Sequence, residues 1–330
     1  MSKKTFIVLL ATFFLATAPL SQAQQPMKIP RIGFLTGGRT PSPTSPDEGL
    51  AAFLQGLRGL GYIDGKNIII DYRGAGGKME RMPDLVAELI GLRVDVIVTV
   101  GMPAVIAAKK ATSTTPIVAA NADNLVDAGV VASLAHPGGN VTGMTRVDAD
   151  FSAKRLQLLK ESFPKLSRVA VLSHGSMGAD EEELQEIQTA ARKLKMQVQP
   201  FPTSDPSQFP AAFAEMKKKR ADSLIFLASS FTSFHRNQLV ELATKNRLPT
   251  MCSNASWIDA GCVIAYGPKT SELYRRAAVF VDKILKGAKP ADLPVEQPMK
   301  FEFIINLKAA KSFNLTIPQS VLFRADKVIQ

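Results

Sequence analysis

The sequence predicts an α/β protein of two doubly wound lobes, each built on a parallel β-sheet. From residue 31 onward, short apolar segments rich in Val and Ile alternate with longer amphipathic segments, which is the pattern of consecutive βαβ units. The same alternation starts again after residue 146, so the chain contains two such series. The 330 residues are enough for two compact lobes, at roughly 100 to 200 residues per domain.

The first series runs to residue 146. Its first helix stops at Gly61, a residue type common at helix ends, and Pro103 suits the first turn of its last helix. The predicted strands are 31–36, 67–73, 95–100, 116–119 and 141–145. The predicted helices are 47–60, 79–91 and one that opens at Met102.

The second series begins with a helix over 151–161. In a later helix, four acidic residues at 180–183 occupy the first turn, where the helix dipole favours negative charge. The predicted strands are 168–173, 198–201, 223–228, 249–253 and 262–266, and the further helices are 180–193, 208–219 and 237–246. A long helix over 271–285 and a proline-rich stretch over 290–298 carry the chain back across before a strand at 301–306.

The first two dozen residues have the features of a secretory signal peptide. Lys3 and Lys4 precede an apolar run from Phe6 to Ala18, and small residues at Ser21 and Ala23 provide a cleavage site. The run is too short to span a bilayer, although an uncleaved amphipathic anchor is an alternative. No cysteine lies at the cleavage site, so we expect a periplasmic protein that is not a lipoprotein, begins near residue 24 and has no stable membrane insertion.

The net charge of +11 falls to +9 without the signal segment and is spread along the chain. An anionic ligand or a membrane surface would suit this charge. Nucleic-acid binding would require a basic stripe with interleaved aromatic residues, and the one basic cluster, at 217–220, lies where a helix should end. We therefore expect no nucleic-acid partner.

Cysteine and motif patterns argue against a cofactor or metal. Cys252 and Cys262 lie near the ends of two predicted strands, and the sequence leaves open whether they form a disulfide. The loop after the first strand lacks the G-x-G-x-x-G spacing, and no phosphate-binding loop or G-x-S-x-G elbow occurs. The three histidines are far apart in sequence. We expect no cofactor, no metal and no enzymatic activity, although catalytic groups could still converge in space.

Candidate ligand residues lie in small polar loops at the predicted strand ends, because ligands of doubly wound sheets bind at the carboxyl ends of the strands. The first-lobe candidates are Thr36, Gly37, Thr99, Gly101, Met102, Asn121 and Asp123. The second-lobe candidates are Ser173, His174, Ser176, Ser229, Ser230, Phe231 and Asn254. A plain strand-to-helix turn explains any one of these loops about as well, so the hypothesis depends on their convergence.

The chemistry of these candidates predicts a role for several of them. The amides of Gly101 and Met102, at a helix start, would take an anionic end of a ligand. Asp123 would accept from an ammonium group or merely cap the next helix, and Phe231 would contact an apolar or aromatic body. Trp257 is either a lid or a packed core aromatic, and packing is the simpler interpretation.

Four segments resemble one known family. They are AHPGGNVTG at residues 135–143, ATSTTPIV at 111–118, YRRAA at 274–278 and VDKILKGAKPADLPVEQP at 281–298. Together they closely resemble the ABC transporter substrate-binding proteins that include the tryptophan-binding TrpX-like proteins. The resemblance implies a type I periplasmic binding fold, with two lobes joined by a three-strand hinge, that closes on a small molecule and presents it to an inner-membrane ABC permease.

The resemblance also implies a division of the chain. We expect a signal peptide over 1–23, an N-terminal lobe over 30–146 plus about 268–297, and a C-terminal lobe over 147–267 plus about 298–330. Family members often carry Asp-Pro where this chain has Asp123-Asn124, and Thr-Pro where it has Met102-Pro103. Tryptophan specificity is therefore not transferred.

The functional expectation is a monomeric solute-binding protein for an amino acid or small carboxylate. Two other classes stay open. One is an exported two-lobe enzyme. The other is a ligand-sensing domain, which would need a transmembrane helix beyond the second lobe.

Overall fold

The computed structural model describes residues 28–146, 149–175 and 178–330. The predicted signal segment and Ser176 lie outside these residues. The first lobe contains a five-stranded parallel sheet in the order β2-β1-β3-β4-β5. Its strands are β1 (Arg31–Thr36), β2 (Ile69–Gly74), β3 (Val96–Val100), β4 (Ile117–Asp123) and β5 (Val141–Arg146). Its helices are α1 (Glu48–Gly59), α2 (Met82–Gly91) and α3 (Met102–Ala111).

The second lobe contains a seven-stranded sheet in the order β12-β11-β10-β9-β8-β6-β7. Its strands are β6 (Arg168–Ser173), β7 (Gln197–Pro202), β8 (Ser223–Phe226), β9 (Thr250–Cys252), β10 (Ile264–Pro268), β11 (Phe301–Asn306) and β12 (Lys327–Ile329). The helices that follow the first lobe are α4 (Ala149–Ser162), α5 (Gly178–Leu194), α6 (Phe209–Lys218), α7 (Ser230–Phe234), α8 (Arg236–Lys245), α9 (Ser256–Asp259), α10 (Thr270–Leu285), α11 (Leu307–Ser312) and α12 (Gln319–Leu322).

The predicted fold class of two doubly wound α/β lobes is confirmed, with one local difference. All strand pairs are parallel except β10 with β11, which are antiparallel. Because β10 leaves the second sheet toward α10 and β11 re-enters it from the other direction, the two strands run in opposite senses. Their ends also meet at a backbone hydrogen bond, 2.9 Å from the Lys269 amide to the Lys300 carbonyl.

Helices cover both faces of each sheet. Alternate residues of a strand point to opposite faces, so each strand contributes apolar side chains to both layers of the core. In β1, Phe34 packs with α1 and α10, whereas Leu35 packs with α2 and α3. In β6, Val171 faces α4 and α5, whereas Leu172 faces α6 and α8. Helix α10 thus packs on the first sheet although it follows a strand of the second.

The chain passes between the lobes three times. The passages follow β5, follow β10 and precede β11. The third passage is held against the edge of the first sheet, where the Thr145 amide donates to the Glu296 carbonyl at 2.9 Å and the Glu296 amide donates to the Gly143 carbonyl at 2.9 Å. Arg276 of α10 donates two hydrogen bonds of 2.6 Å to the Glu296 carboxylate.

A buried ion pair ties α4 and α5 to the strand that leaves the second sheet. The side chain of Arg155 is fully buried and that of Glu183 is 4% exposed, and their charged atoms are 3.0 Å apart. Arg155 Nε also donates to the Tyr266 carbonyl at 2.9 Å, and Ser152 Oγ donates to the Glu183 carboxylate at 2.6 Å. These contacts hold β10 in place near its end, where the chain leaves for the first lobe.

Candidate functional site

The first-lobe candidates meet at the carboxyl ends of the strands of the first sheet, which we call its carboxyl edge. Strands β1, β3 and β4 are neighbours, so the loops after them lie side by side at their carboxyl ends. Thr36 Oγ1 accepts from the Gly38 amide at 3.2 Å and so shapes the loop after β1. The loop after β2 joins this edge, because the Gly77 amide donates to the Gly37 carbonyl at 2.9 Å.

The loop after β3 differs from its predicted role in two details. The Gly101 amide donates to the Asn121 carbonyl at 2.8 Å, so this donor is occupied, and the expectation that it receives an anion is wrong. The Met102 side chain is 8% exposed and packs in the core beside α3, so only its backbone faces the edge. The amides of the first turn of α3 have no partner within the helix, which leaves that of Met102 as the remaining donor of this pair.

Two buried polar atoms in this edge have no hydrogen-bond partner among the described residues. They are Thr99 Oγ1, on a fully buried side chain, and Asn121 Oδ1. They lie at the register shift between β3 and β4, where Thr99 pairs with Ala119 but Val100 pairs with Asn121 instead of Ala120. An unsatisfied buried polar atom costs about 1–3 kcal/mol, so both are places where a bound molecule or a water could supply the missing bond.

Asp123 is paired with Arg146 across neighbouring strands. The two residues are opposite each other in β4 and β5, and Arg146 Nη2 donates to the Asp123 carboxylate. The Arg146 side chain is 10% exposed and that of Asp123 is 25% exposed. Asp123 is therefore already engaged by a cation of the protein, which the sequence analysis did not foresee. A carboxylate has about four lone-pair sites, so this pair still leaves capacity for another donor.

The second-lobe candidates meet at the matching edge of the second sheet, where β9, β8 and β6 are neighbours. Ser229 and Asn254 are engaged locally as helix-start residues. Ser229 Oγ accepts from the Thr232 amide at 3.0 Å, and Asn254 Oδ1 accepts from the Ser256 amide at 3.1 Å and its hydroxyl at 2.7 Å. The carbonyl of Ser173 accepts from the Thr203 amide at 2.9 Å. Ser176 is not among the described residues.

An aromatic cluster forms around Phe231. The ring of His174 stacks on that of Phe231 with centroids 4.5 Å apart, and the ring of His235 lies 5.1 Å away on the same helix face, four residues on. Phe209 packs beneath Phe231 at 5.6 Å. These rings form an apolar cluster at the carboxyl edge of the second sheet.

Both histidines of this cluster are held toward their neutral form. Burial lowers the pKa of His174 below its usual value, against the opposing effect of the nearby Asp180 carboxylate. Burial also lowers the pKa of His235, against the opposing effect of Asp205. Burial raises the pKa of Asp180 in turn, since its bond to the Gly175 amide offsets only part of the lost hydration. The rings of the cluster are thus uncharged near neutral pH.

The two edges touch, so the structure is in a closed arrangement. Phe234 of α7 packs against Gly77 of the first lobe, because a Cβ atom built on Gly77 would lie 2.5 Å from Phe234 Cε1. Ser230 packs against Gly101 in the same way. A cavity of about 360 Å³ lies between the lobes beside the Asp123 strand end, lined by Asn124, Val126, Asp127, Ser133, Leu134, Thr145, Glu182 and Gln297.

Four residues of this region were not predicted from the sequence: Gly77, Arg146, Phe234 and His235. Arg146 ends a predicted strand next to that of Asp123, and strand-end position alone could have found it. Phe234 belongs to a helix too short to give a periodic signal, and His235 follows directly after it. Gly77 follows Gly76 in a loop, and nothing in the sequence marks it as a contact between lobes.

Trp257 and the cysteines are structural. The Trp257 side chain is fully buried and stacks on Phe226 with centroids 4.8 Å apart, so the packed-aromatic interpretation holds and a lid is excluded. Cys252 and Cys262 form a disulfide with Cα atoms 6.6 Å apart, which answers the question that the sequence left open. In the part of the chain that the structure describes, no group of three or more His, Cys, Asp or Glu side chains is arranged to hold a metal ion. Over the same residues, no helix is long and apolar enough to cross a membrane.

Comparison with protein families gives one match along most of the chain. The sequence model of the family described as "ABC transporter substrate binding protein" matches residues 42–329. A curated protein from Clostridioides difficile, named "Tyrosine-binding protein", is 26% identical over 275 residues, covering 82% of this chain and 77% of its own.

Two solved structures are similar in fold. One is an ABC domain from Streptococcus pneumonia in complex with L-Trp, with a TM-score of 0.82 and 24% identity, covering 91% of this chain and 99% of its own. The other is a conserved domain protein from Vibrio cholerae, also with a TM-score of 0.82 and 24% identity, covering 91% of this chain and 100% of its own. Both likenesses agree with the two-lobe architecture.

Proposed function

The chain belongs to the ABC transporter substrate-binding protein family, and from this premise we propose that it is an exported solute-binding protein that closes its lobes on one small molecule. The contact of the two carboxyl edges, through Gly77 with Phe234 and Gly101 with Ser230, is the observation that carries the proposal. A ligand held between such edges stabilises the closed state by its greater affinity for that state. The mechanism is non-covalent and involves no catalysis.

The ligand class that we propose is an amino acid or a small carboxylate, with aromatic or apolar amino acids first. Asp123 and Arg146 place one anion and one cation at the first edge, which complement an α-ammonium and an α-carboxylate. The surface of His174 and Phe231 suits an apolar or aromatic body. The names of the C. difficile and S. pneumonia relatives, which refer to tyrosine and L-Trp, support this order.

The cellular setting follows from the same proposal. The segment over 1–23 would direct export to the periplasm and be removed, and the mature chain would act as a monomer that delivers its ligand to an inner-membrane ABC permease. The lobes that move would be 30–146 with about 268–297, and 147–267 with about 298–330. The three passages of the chain between the sheets support this division, because a hinge must lie where the chain crosses.

The test of the ligand class is a thermal-shift screen of amino acids and small carboxylates, followed by titration of each hit. Asp123→Ala should weaken an amine-bearing ligand by about tenfold or more, because a hydrogen bond to a charged group is worth about 1.5–3 kcal/mol. Glu186→Ala, which removes an exposed acid from α5, is the matched control and should leave affinity unchanged. Equal affinity of Asp123→Ala and the control would refute the role of Asp123.

A further inference from the structure

One short helix of the second lobe, α7, contacts the first lobe at two glycines. Ser230 and Phe234 are four residues apart in α7, so they lie on the same helix face. That face meets two glycines of the first lobe, Gly101 and Gly77. Both glycines have positive φ, +83° and +82°, a region that other residues rarely adopt.

The glycines are in contact because they lack side chains. A Cβ atom on Gly77 would lie 2.5, 2.7 and 3.0 Å from three carbon atoms of the Phe234 ring, and the first two distances are shorter than real Cβ contacts. A Cβ atom on Gly101 would overlap Ser230 Oγ. The serine hydroxyl can rotate away, but a phenyl ring flanked by His235 at 4.9 Å has less room to move. The Gly77 contact is therefore the more demanding of the two.

Both sides of the contact are held by their own lobes. Ser229 and Thr232 cap α7 reciprocally, and the buried Thr232 hydroxyl donates to the Leu227 carbonyl at 2.9 Å. On the other side, the Gly77 amide is bonded to the Gly37 carbonyl, which ties the loop after β2 to the loop after β1. The Phe234 ring and the Ser230 hydroxyl of α7 thus lie directly on glycine backbone, and each side of the contact is held by hydrogen bonds within its own lobe.

We propose that Gly77, Gly101, Ser230 and Phe234 form a latch, and that the missing Cβ atom of Gly77 is what allows the lobes to close. This inference rests on the proposed function in one respect, since it assumes that the protein also visits an open state. It goes beyond that function by assigning closure to four residues. A side chain at Gly77 would hold the lobes apart.

A disulfide trap tests the latch without any ligand. The Cβ position of Gly101 is 3.7 Å from Ser230 Cβ, within the range of about 3.5–4.5 Å for disulfides. The double variant Gly101→Cys/Ser230→Cys should therefore form an intramolecular disulfide under mild oxidation, seen as a loss of both added thiols by intact-mass analysis. The two single variants, which each keep one thiol, are the controls. A double variant that stays reduced, or that links only between molecules, would overturn the latch.

The role of the glycine is tested in the same trapped background. Gly77→Ala should slow formation of the disulfide about tenfold, the size expected when a packed contact is overfilled. Gly76→Ala is the matched control, because Gly76 also has positive φ, +64°, but a Cβ there meets nothing within 4 Å. Phe234→Ala should restore the rate in the Gly77→Ala chain and guards against a general folding defect. Equal rates for Gly77→Ala and Gly76→Ala would refute the requirement for glycine.

L-Tyrosine added as a probe separates the latch from the proposed function. If it speeds trapping, both proposals are supported. If trapping proceeds but no amino acid changes its rate, the ligand class fails and the latch stands. If L-tyrosine binds by calorimetry but trapping fails, the latch alone is refuted.

Discussion

The buried ion pair between Arg155 and Glu183 gives a sharp prediction about stability. Glu183→Ala leaves the fully buried guanidinium without this carboxylate, and removing one partner of a buried pair costs about 3–5 kcal/mol. We expect the lower end, about 3 kcal/mol, because Arg155 keeps its bond to the Tyr266 carbonyl. With a urea slope of about 3 kcal/mol/M, the unfolding midpoint of the second lobe should fall by roughly 1 M.

The control is an exposed ion pair of the same lobe. Glu241 and Lys245 are 2.6 Å apart on α8, and both side chains are more than 60% exposed, so Glu241→Ala should hardly move the urea midpoint. Replacing both buried partners, as in Arg155→Met/Glu183→Leu, should recover much of the lost stability, because no uncompensated charge remains. A loss below about 1 kcal/mol for Glu183→Ala would refute the assignment of this pair as a buried, coupled unit.

Three further predictions concern stability. Replacing Cys252 and Cys262 by Ala should lower the free energy of unfolding by about 2–3 kcal/mol, since the disulfide closes a short loop, and reductant should then have no further effect. Burial lowers the pKa of His174 and His235 below 6.5, so the unfolded chain binds more protons and stability should fall as pH drops through 6.5; Gln at both positions should flatten this slope in urea titrations. Trp257→Ala should cost about 3–5 kcal/mol in calorimetric unfolding, whereas a lid would leave stability unchanged.

Much of the fold was predictable because its signals are local. Strands such as β1, β6 and β11 have long apolar runs, and their predicted bounds match the structure. Helices α7 and α9 were missed because five and four residues cannot show a helical period. The antiparallel pairing of β10 with β11 was missed because strand direction depends on where the chain returns after α10, not on residues within either strand.

The sequence predicts which loops form the candidate site, but not which residues of the site bond to one another. Strand order placed Thr36, Thr99 and Asn121 on one edge, which follows from the rule for doubly wound sheets. The use of the Gly101 amide by the Asn121 carbonyl depends on a register shift between two strands, and the pairing of Asp123 with Arg146 depends on their cross-strand register. Neither register can be read from one strand alone.

Solute binding without turnover is best tested by titration calorimetry of the purified protein with individual amino acids and small carboxylates, followed by mass spectrometry of the recovered ligand. We expect one amino acid or small carboxylate to bind at one molecule per chain and to be recovered unchanged. Chemical conversion of the ligand, or the absence of binding across both compound classes, would contradict it.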